Sequence, residues 1–308
     1  MLLRKFKLKK IDNPIVTNFL QYIKNVKQFS DNSLRSYNYD LYDYILFCNN
    51  RFSEINFKKL DHVIIQSYMK HVSKQGLSAR TLARRLATIK SFYRYMFSNK
   101  LIKYNYSKFV KTPKINKKLP NYLSLEEAKQ VLSLPVGDSE GKLRDRLILE
   151  LFYSTGLRIS ELVSIKLNNI NLEENTVKII GKGNKERIVP FGDKAKKAIE
   201  QYLRARENSW ASDSQLPLFI GTKEKRISTR TVQNRLGEYL KRILGGKKGA
   251  SPHILRHTFG THLLDNDADI RSIQELLGHS SISSTQIYTK VNPEKIKKIY
   301  KDAHPHAS

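Results

Sequence analysis

"TVKIIGKGNKERIVPFG", residues 176–192, is the stretch where the sequence changes character. Two short runs rich in β-branched residues, Thr176–Ile180 and Ile188–Val189, flank Gly181-Lys182-Gly183-Asn184-Lys185, and that pattern reads as a β-hairpin. The segments on both sides of it keep helical spacing, so the hairpin fixes the class: mostly α with a small antiparallel β-sheet.

Immediately upstream, "RDRLILELFYSTGLRISELVSI" (144–165) is apolar at helical spacing and broken at Gly156, and "SLEE" (124–127) is a capping box that opens the preceding helix. Downstream, helices are predicted over 193–207 and 228–244. Another begins at Ser251-Pro252, with Ser251 as its cap, and a further one over 269–277 stops at Gly278. "SISSTQIYTKV" (281–291) and "NPEKIKKIYKDA" (292–303) read as two more. Ile296, Ile299 and Tyr300 form the apolar side of the last helix, which suits packing on its own unit and on a neighbouring copy equally.

Residues 12–108 read as helices only. Leu34, Tyr37, Leu41, Tyr44, Ile45 and Cys48 keep helical spacing after the cap candidates Asp31, Asn32 and Ser33. Leu82, Leu86, Ile89, Tyr93 and Met96 make a second stripe. Opposite it lie Arg80, Arg84, Ala87, Thr88, Ser91 and Arg94, a face that suits a DNA major groove or simply solvent. "VKTPKINKKLPNYLS" (110–124) has two prolines, four lysines and little periodicity, the marks of an extended basic linker. The expected organisation is a helical N-terminal domain over 1–109, a linker over 110–121 and a second domain over 122–308. Joined by a positive strap, the two could close on a duplex as a clamp.

The charge points the same way. Lys and Arg number 56 against 28 Asp and Glu, a net +28, and residues 1–108 hold 21 basic against 6 acidic side chains. Such a field favours polyanions, of which nucleic acid is the commonest; a Lys-rich source proteome would also raise it. Arg80, Arg84, Arg85, Lys111 and Lys114 are the candidate DNA contacts. Cys48 is the single cysteine, which excludes a disulfide framework and a thiolate zinc site. There is no apolar run of 18 residues and no apolar core in "MLLRKFKLKK", so a cytoplasmic protein is expected.

"SPHILRHTFGTHLL" (251–264) concentrates His253, Arg256, His257 and His262. His253 and His257 stand at i and i+4, as in a zinc helix, but residue 254 is Ile where that motif has Glu, and no third ligand is near. Arg256 within the array opposes a dication. An anion fits better: His253 and Arg256, at i and i+3, can aim two donors at one phosphate. No metal and no cofactor are expected. Singly, the remaining candidates are ordinary. Arg158 and Glu161 could be a surface ion pair, Lys182 a turn lysine, His279 a residue after a helix stop, and Tyr288 one of 16 tyrosines.

Together, "STGLRISEL", the hairpin lysine, "PHILRHTFGTHLL", "LLGHSS" and "QIYTKV" resemble, in order and spacing, the tyrosine recombinases of the phage integrase family, and within them the Xer type. The resemblance covers nearly the whole chain. It implies a helical core-binding domain followed by an α-rich catalytic domain. Catalysis is then metal-independent cleavage and rejoining of DNA through a 3′-phosphotyrosine at Tyr288. Arg158 and Arg256 would clamp the phosphate, with Lys182 as proton donor, His253 as proton acceptor, His279 as a phosphate ligand and Glu161 as support. It further implies a duplex with an inverted-repeat site, and four protomers on two sites as a homotetramer or with a paralogue. The expected task is chromosome or plasmid dimer resolution, with a septal DNA translocase as a possible partner. Other readings are integration of a mobile element, a type IB-like topoisomerase, and DNA binding without catalysis.

Overall fold

The computed structural model describes residues 11, 13–52, 56–57, 60–115, 121–181, 186–206, 215–221, 225–245, 251–278 and 293–307, the side chains of 293–296 excepted. The chain divides into two compact units, Met1–Lys118 and Leu119–Ser308.

The regular elements of unit 1 among its described residues are all helical: α1 (Pro14–Asn25), α2 (Asp31–Asn49), α3 (His62–Lys74), α4 (Ala79–Ser98) and a 3-10 turn over Tyr106–Phe109. Each helix starts where a short polar side chain relieves its unpaired N–H groups. Asn13 Oδ1 accepts from the backbone of Ile15 (3.0 Å) and Val16 (3.3 Å), with Pro14 preset for the first turn. Ser78 caps α4. For α2 the cap is Ser30, one residue before the expected set, because its backbone is extended while Asp31 is already helical. Both stripes expected from spacing face inward. Leu41, Tyr44, Ile45 and Cys48 meet Leu82, Leu86, Ile89, Tyr93 and Met96 in one core, which Leu34 and Tyr37 flank. Fully buried Phe19, Tyr44, Tyr68, Phe92 and Tyr93 each bring about 2 kcal/mol of apolar burial to it.

Unit 2 is built around α6 (Glu140–Thr155), whose residues from Leu147 to Thr155 are all buried. A helix apolar on every side must be surrounded. It is packed by α5 (Leu125–Ser133), α7 (Ile159–Ser164), α8 (Asp193–Ala205), α9 (Thr229–Leu244) and α10 (His253–Asp265), and by one sheet strand. Gly156 ends α6 in the left-handed conformation, φ +58°, and a Cβ there would lie 2.4 Å from Phe259 Cδ1. Glycine is required on both counts. The sheet runs β1 (Ile170–Asn171), β2 (Thr176–Ile180), β3 (Glu186–Pro190), antiparallel and in that order. Its register pairs Val177 with Val189 and Ile179 with Arg187, so these four share the core-facing side.

α10 begins at His253. Pro252 is itself in the helical region and the Ser251 carbonyl, not its hydroxyl, takes the N–H of Ile254 (2.8 Å), so the expected Ser251 side-chain cap does not form. α11 (Ile270–Leu277) is capped by Asp269 and stops at Gly278, φ +65°. The helix expected over 281–291 lies outside the described residues. The last helix, α12 (Pro293–Ala303), packs on its own unit: Tyr300 and Ala303 join the core around α6, Ile299 flanks it, and Asn266 Nδ2 donates to Ala303 O (2.8 Å). Ile296 lies outside the described side chains. The tail beyond α12 lies across Gly192, where a Cβ would fall 1.7 Å from the His306 carbonyl oxygen. Among the described residues no helix is long and apolar enough to cross a membrane.

Candidate active site

Three arginines from three elements converge on the end of α11. Arg158, which precedes α7, donates from Nη2 to Gly278 O (2.9 Å). Arg256, one turn into α10, donates from Nη2 to Leu277 O (2.6 Å) and from Nη1 to Gly156 O (2.5 Å). Arg187 on β3 donates from Nε to Leu276 O (3.3 Å). Three successive carbonyls at the negative end of a helix dipole therefore each take one guanidinium.

Glu161 sits among them. Its Oε1 accepts from Arg158 Nη1 (2.9 Å) and Arg187 Nη1 (3.2 Å). Its Oε2 accepts from the Arg158 backbone N–H (2.9 Å) and Arg187 Nη2 (2.8 Å). Burial alone would push this carboxyl up, but the Arg187 and Arg158 hydrogen bonds and the Arg187 charge outweigh it, and the net displacement is downward. Arg158 and Glu161 are thus no surface pair, since the carboxylate is buried.

The arginines differ in access. Arg158 keeps 39% of its side chain exposed, Arg187 17%, and Arg256 as a residue only 7%. Burial, and after it the neighbouring Arg158 charge, lowers Arg256 to about 10, where it is still protonated at neutral pH. His257 is likewise held below the ordinary imidazole value, by partial burial first and then by His253 and Arg256. One buried carboxylate faces three guanidiniums here, so the cluster is short of negative charge. Each guanidinium has further N–H donors to offer an anion. With donors fixed in advance, such a place is suited to the oxygens of a phosphodiester.

Of the site residues expected from sequence, the fold brings Arg158, Glu161 and Arg256 together. His253 is exposed at the start of α10, one turn from Arg256. Lys182, His279 and Tyr288 lie outside the described residues. His262, by contrast, is a packing residue: its Nδ1 pairs with Tyr153 OH (2.9 Å) and its Nε2 with Leu123 O (3.0 Å). Arg187 is not among the residues expected from sequence. A signal for it exists, because strand alternation puts position 187 on the same side as Val189, where a charge has no ordinary place.

In unit 1, Arg80, Arg84 and Arg94 are exposed on α4, and Lys111 and Lys114 are exposed in the extended segment that follows. Arg85 is a correction. It is buried, pairs with Asp43 and donates from Nη1 to Tyr68 OH (3.0 Å), so it belongs to the bundle interior and not to a DNA-facing surface. Arg84, 45% exposed, is tethered from below by buried Asp40 (2.5 Å).

Comparison with known proteins gives a consistent result. The sequence profile of the "Phage integrase family" matches residues 121–295, and that of the "Phage integrase, N-terminal SAM-like domain" matches residues 16–100. Tyrosine recombinase XerC of Thermodesulfovibrio yellowstonii is 40% identical over 94% of this chain and 96% of its own. Tyrosine recombinase XerD of Staphylococcus epidermidis is 37% identical over 96% of this chain and 100% of its own. Among solved structures, the XerH site-specific recombinase bound to palindromic difH substrate has a similar fold, with a TM-score of 0.68 and 22% identity over 93% of this chain and 80% of that one. So does a lambda integrase dimer bound to a COC′ core site, at 0.64 and 17% over 89% and 99%.

Proposed function

The chain belongs to the tyrosine recombinase family, of the Xer type, and from that premise we propose how its residues divide the work of site-specific DNA recombination. The observation that carries the reading is the electropositive cluster in which Arg158 and Arg256 converge around a single buried carboxylate. Arg158 and Arg256 hold the two non-bridging oxygens of the scissile phosphate and stabilise the charge that builds on them. The Tyr288 oxygen attacks phosphorus in line, His253 takes the phenolic proton, and the 5′-oxygen leaves with a proton from Lys182. The product is a 3′-phosphotyrosine and a free 5′-hydroxyl. His279 holds a phosphate oxygen. Attack by a 5′-hydroxyl from a second duplex reverses the step and completes strand exchange, so no nucleotide cofactor is consumed.

Arg80, Arg84, Lys111 and Lys114 supply phosphate contacts that position the duplex. The DNA is an inverted-repeat site, bound by one dimer per site and four protomers per synapse, as a homotetramer or with a paralogue. The task is resolution of chromosome or plasmid dimers in the cytoplasm, with a septal DNA translocase as partner. Similarity to relatives named tyrosine recombinase XerC and tyrosine recombinase XerD supports the recombinase chemistry from which this role is inferred.

A nicked suicide substrate tests the chemistry. The unaltered chain is expected to form a covalent protein–DNA adduct, and Tyr288→Phe to bind the same DNA and form none. An undiminished adduct from Tyr288→Phe would assign the nucleophile elsewhere.

A further inference from the structure

We propose that Arg187 is a positioning residue of the recombination site: it locks the Glu161 carboxylate and the end of α11 together, and so holds Arg158 where the scissile phosphate needs it. The proposal rests on the catalytic reading above and adds to it a residue outside that set.

The geometry is that of a keystone. Arg187 commits both Nη atoms to the two oxygens of Glu161 (3.2 and 2.8 Å) and its Nε to Leu276 O (3.3 Å). A fork–fork pair of this kind fixes the carboxylate plane as well as its place. That plane decides where Arg158 goes, because the same two oxygens accept from its Nη1 and from its backbone N–H (both 2.9 Å). Arg187 also lies flat against Gly278. A Cβ on that glycine would sit 3.0 Å from the Arg187 Cζ and Nη1, and Gly278 O is the second acceptor of Arg158 (2.9 Å). Arg187 therefore sets both partners of Arg158, from a strand that offers no other link between them among the described residues. With three hydrogen bonds of its own, Arg187 is less exposed than Arg158, which is the freer of the two to turn its remaining donors outward.

A stapling role alone, tying the hairpin to α11, would use the same bonds, so the test must read something a staple would not move. Arg187→Gln and Arg187→Lys, each in the full chain, are compared with the unaltered protein for melting temperature, for binding to the recombination-site duplex, and for the rate of adduct formation on the nicked substrate. The same substitutions are then made in an Arg158→Lys background. The expected result is a fall in adduct rate of about 10- to 100-fold with DNA affinity held within about threefold, the size of effect a displaced reacting group produces. In the Arg158→Lys background the further fall shrinks to under about threefold, because two residues acting as one unit do not add. The Arg187→Lys variant, which keeps the charge but not the fork, recovers only a minor part of the rate.

An adduct rate unchanged by Arg187→Gln would overturn the proposal. So would a loss that multiplies in full with that of Arg158→Lys, or one that tracks melting temperature and binding in proportion. If Arg187→Gln does not fold, Arg187→Lys carries the same comparison. Failure of the unaltered chain to form any adduct is a different outcome: it would overturn the catalytic reading itself, and this role with it.

Discussion

Each unit uses buried carboxylates to hold arginines, and the two do it with opposite results. In unit 1, Asp40 is fully buried and bonds Arg84 and Thr88 through one oxygen, while its Oδ1 has no partner among the described residues. Burial dominates there and pushes the Asp40 carboxyl upward in spite of Arg84. In unit 2, both oxygens of Glu161 are paired twice over and its carboxyl is displaced downward. Half-satisfied and fully satisfied buried charges thus differ in kind. The first is a tolerated cost of anchoring one side chain, the second a rigid core of charge. The signs follow by linkage. Asp40, held high, favours the folded unit at low pH, and that advantage is lost as pH rises through its folded value. Glu161, held low, stabilises at neutral pH, and its contribution goes as pH falls through its folded value.

The hardest blow to this contrast is Glu161→Ala. It strips two guanidiniums of their shared counter-charge next to a third. We expect unit 2 to lose roughly 2 to 3 kcal/mol, below the full figure for a broken buried pair because Arg158 can rehydrate, and adduct formation to fall by at least about 100-fold. Asp40→Asn, which keeps a hydrogen-bond acceptor for Thr88, should cost unit 1 about 1 kcal/mol or less. Urea unfolding read by hydrogen exchange in peptides from each unit checks both. Equal costs would mean that satisfaction of the second oxygen does not matter.

A second wedge is pH. His304 lies in unit 2 between Tyr300, stacked on it at 4.8 Å, and the rings of Phe259 and Tyr153, and its Nε2 pairs with Tyr153 O (3.3 Å). Burial first, then the nearby His306, lowers it from 6.5 to about 3. His306 in turn faces Glu150 (3.3 Å). A histidine held low gives stability that is complete above 6.5 and drains as pH falls toward 3. Between about pH 7 and 5 the docked tail should therefore lose about 2 kcal/mol. Hydrogen exchange of the 300–307 peptide at the two pH values measures it. His304→Phe keeps the stacking and should remove most of the slope. A slope left intact by His304→Phe would move the proton to another group.

What the sequence made legible follows from range. The stripes of α2 and α4, the capping box at Ser124, the Gly156 and Gly278 stops and the hairpin rest on residues within a few positions of one another, so periodicity exposes them. Arg187 meets partners 26 and 89 residues away, and no local pattern announces that, apart from its inward place on the strand. Arg85 misleads for the same reason. Taken with Arg80 and Arg84 it looks like one basic face, yet it stands three residues after Leu82 and four before Ile89, on the flank that turns toward the core. There it finds Asp43 and Tyr68, contributed by two other helices.

That distinction yields the smallest and most specific effect. Arg84 and Arg85 are adjacent, alike in charge, and each is paired to an aspartate of α2, but their side chains are 45% and 6% exposed. Removing an exposed phosphate contact weakens binding alike on all sequences and lowers the slope of log affinity against log salt by about one. Arg84→Ala should do this, and should also destabilise unit 1, because the buried Asp40 carboxylate loses its counter-charge. Arg85→Ala should leave the slope as it was and destabilise the bundle, because Asp43 and the Tyr68 hydroxyl lose their shared donor; burial and the Asp43 charge already hold that hydroxyl above its ordinary range. Titrations of one duplex at several salt concentrations separate the two, and urea midpoints check both losses of stability. A salt slope reduced equally by both substitutions would show that Arg85 leaves the interior when DNA binds, and that the line between anchored and exposed arginines in unit 1 is drawn in the wrong place.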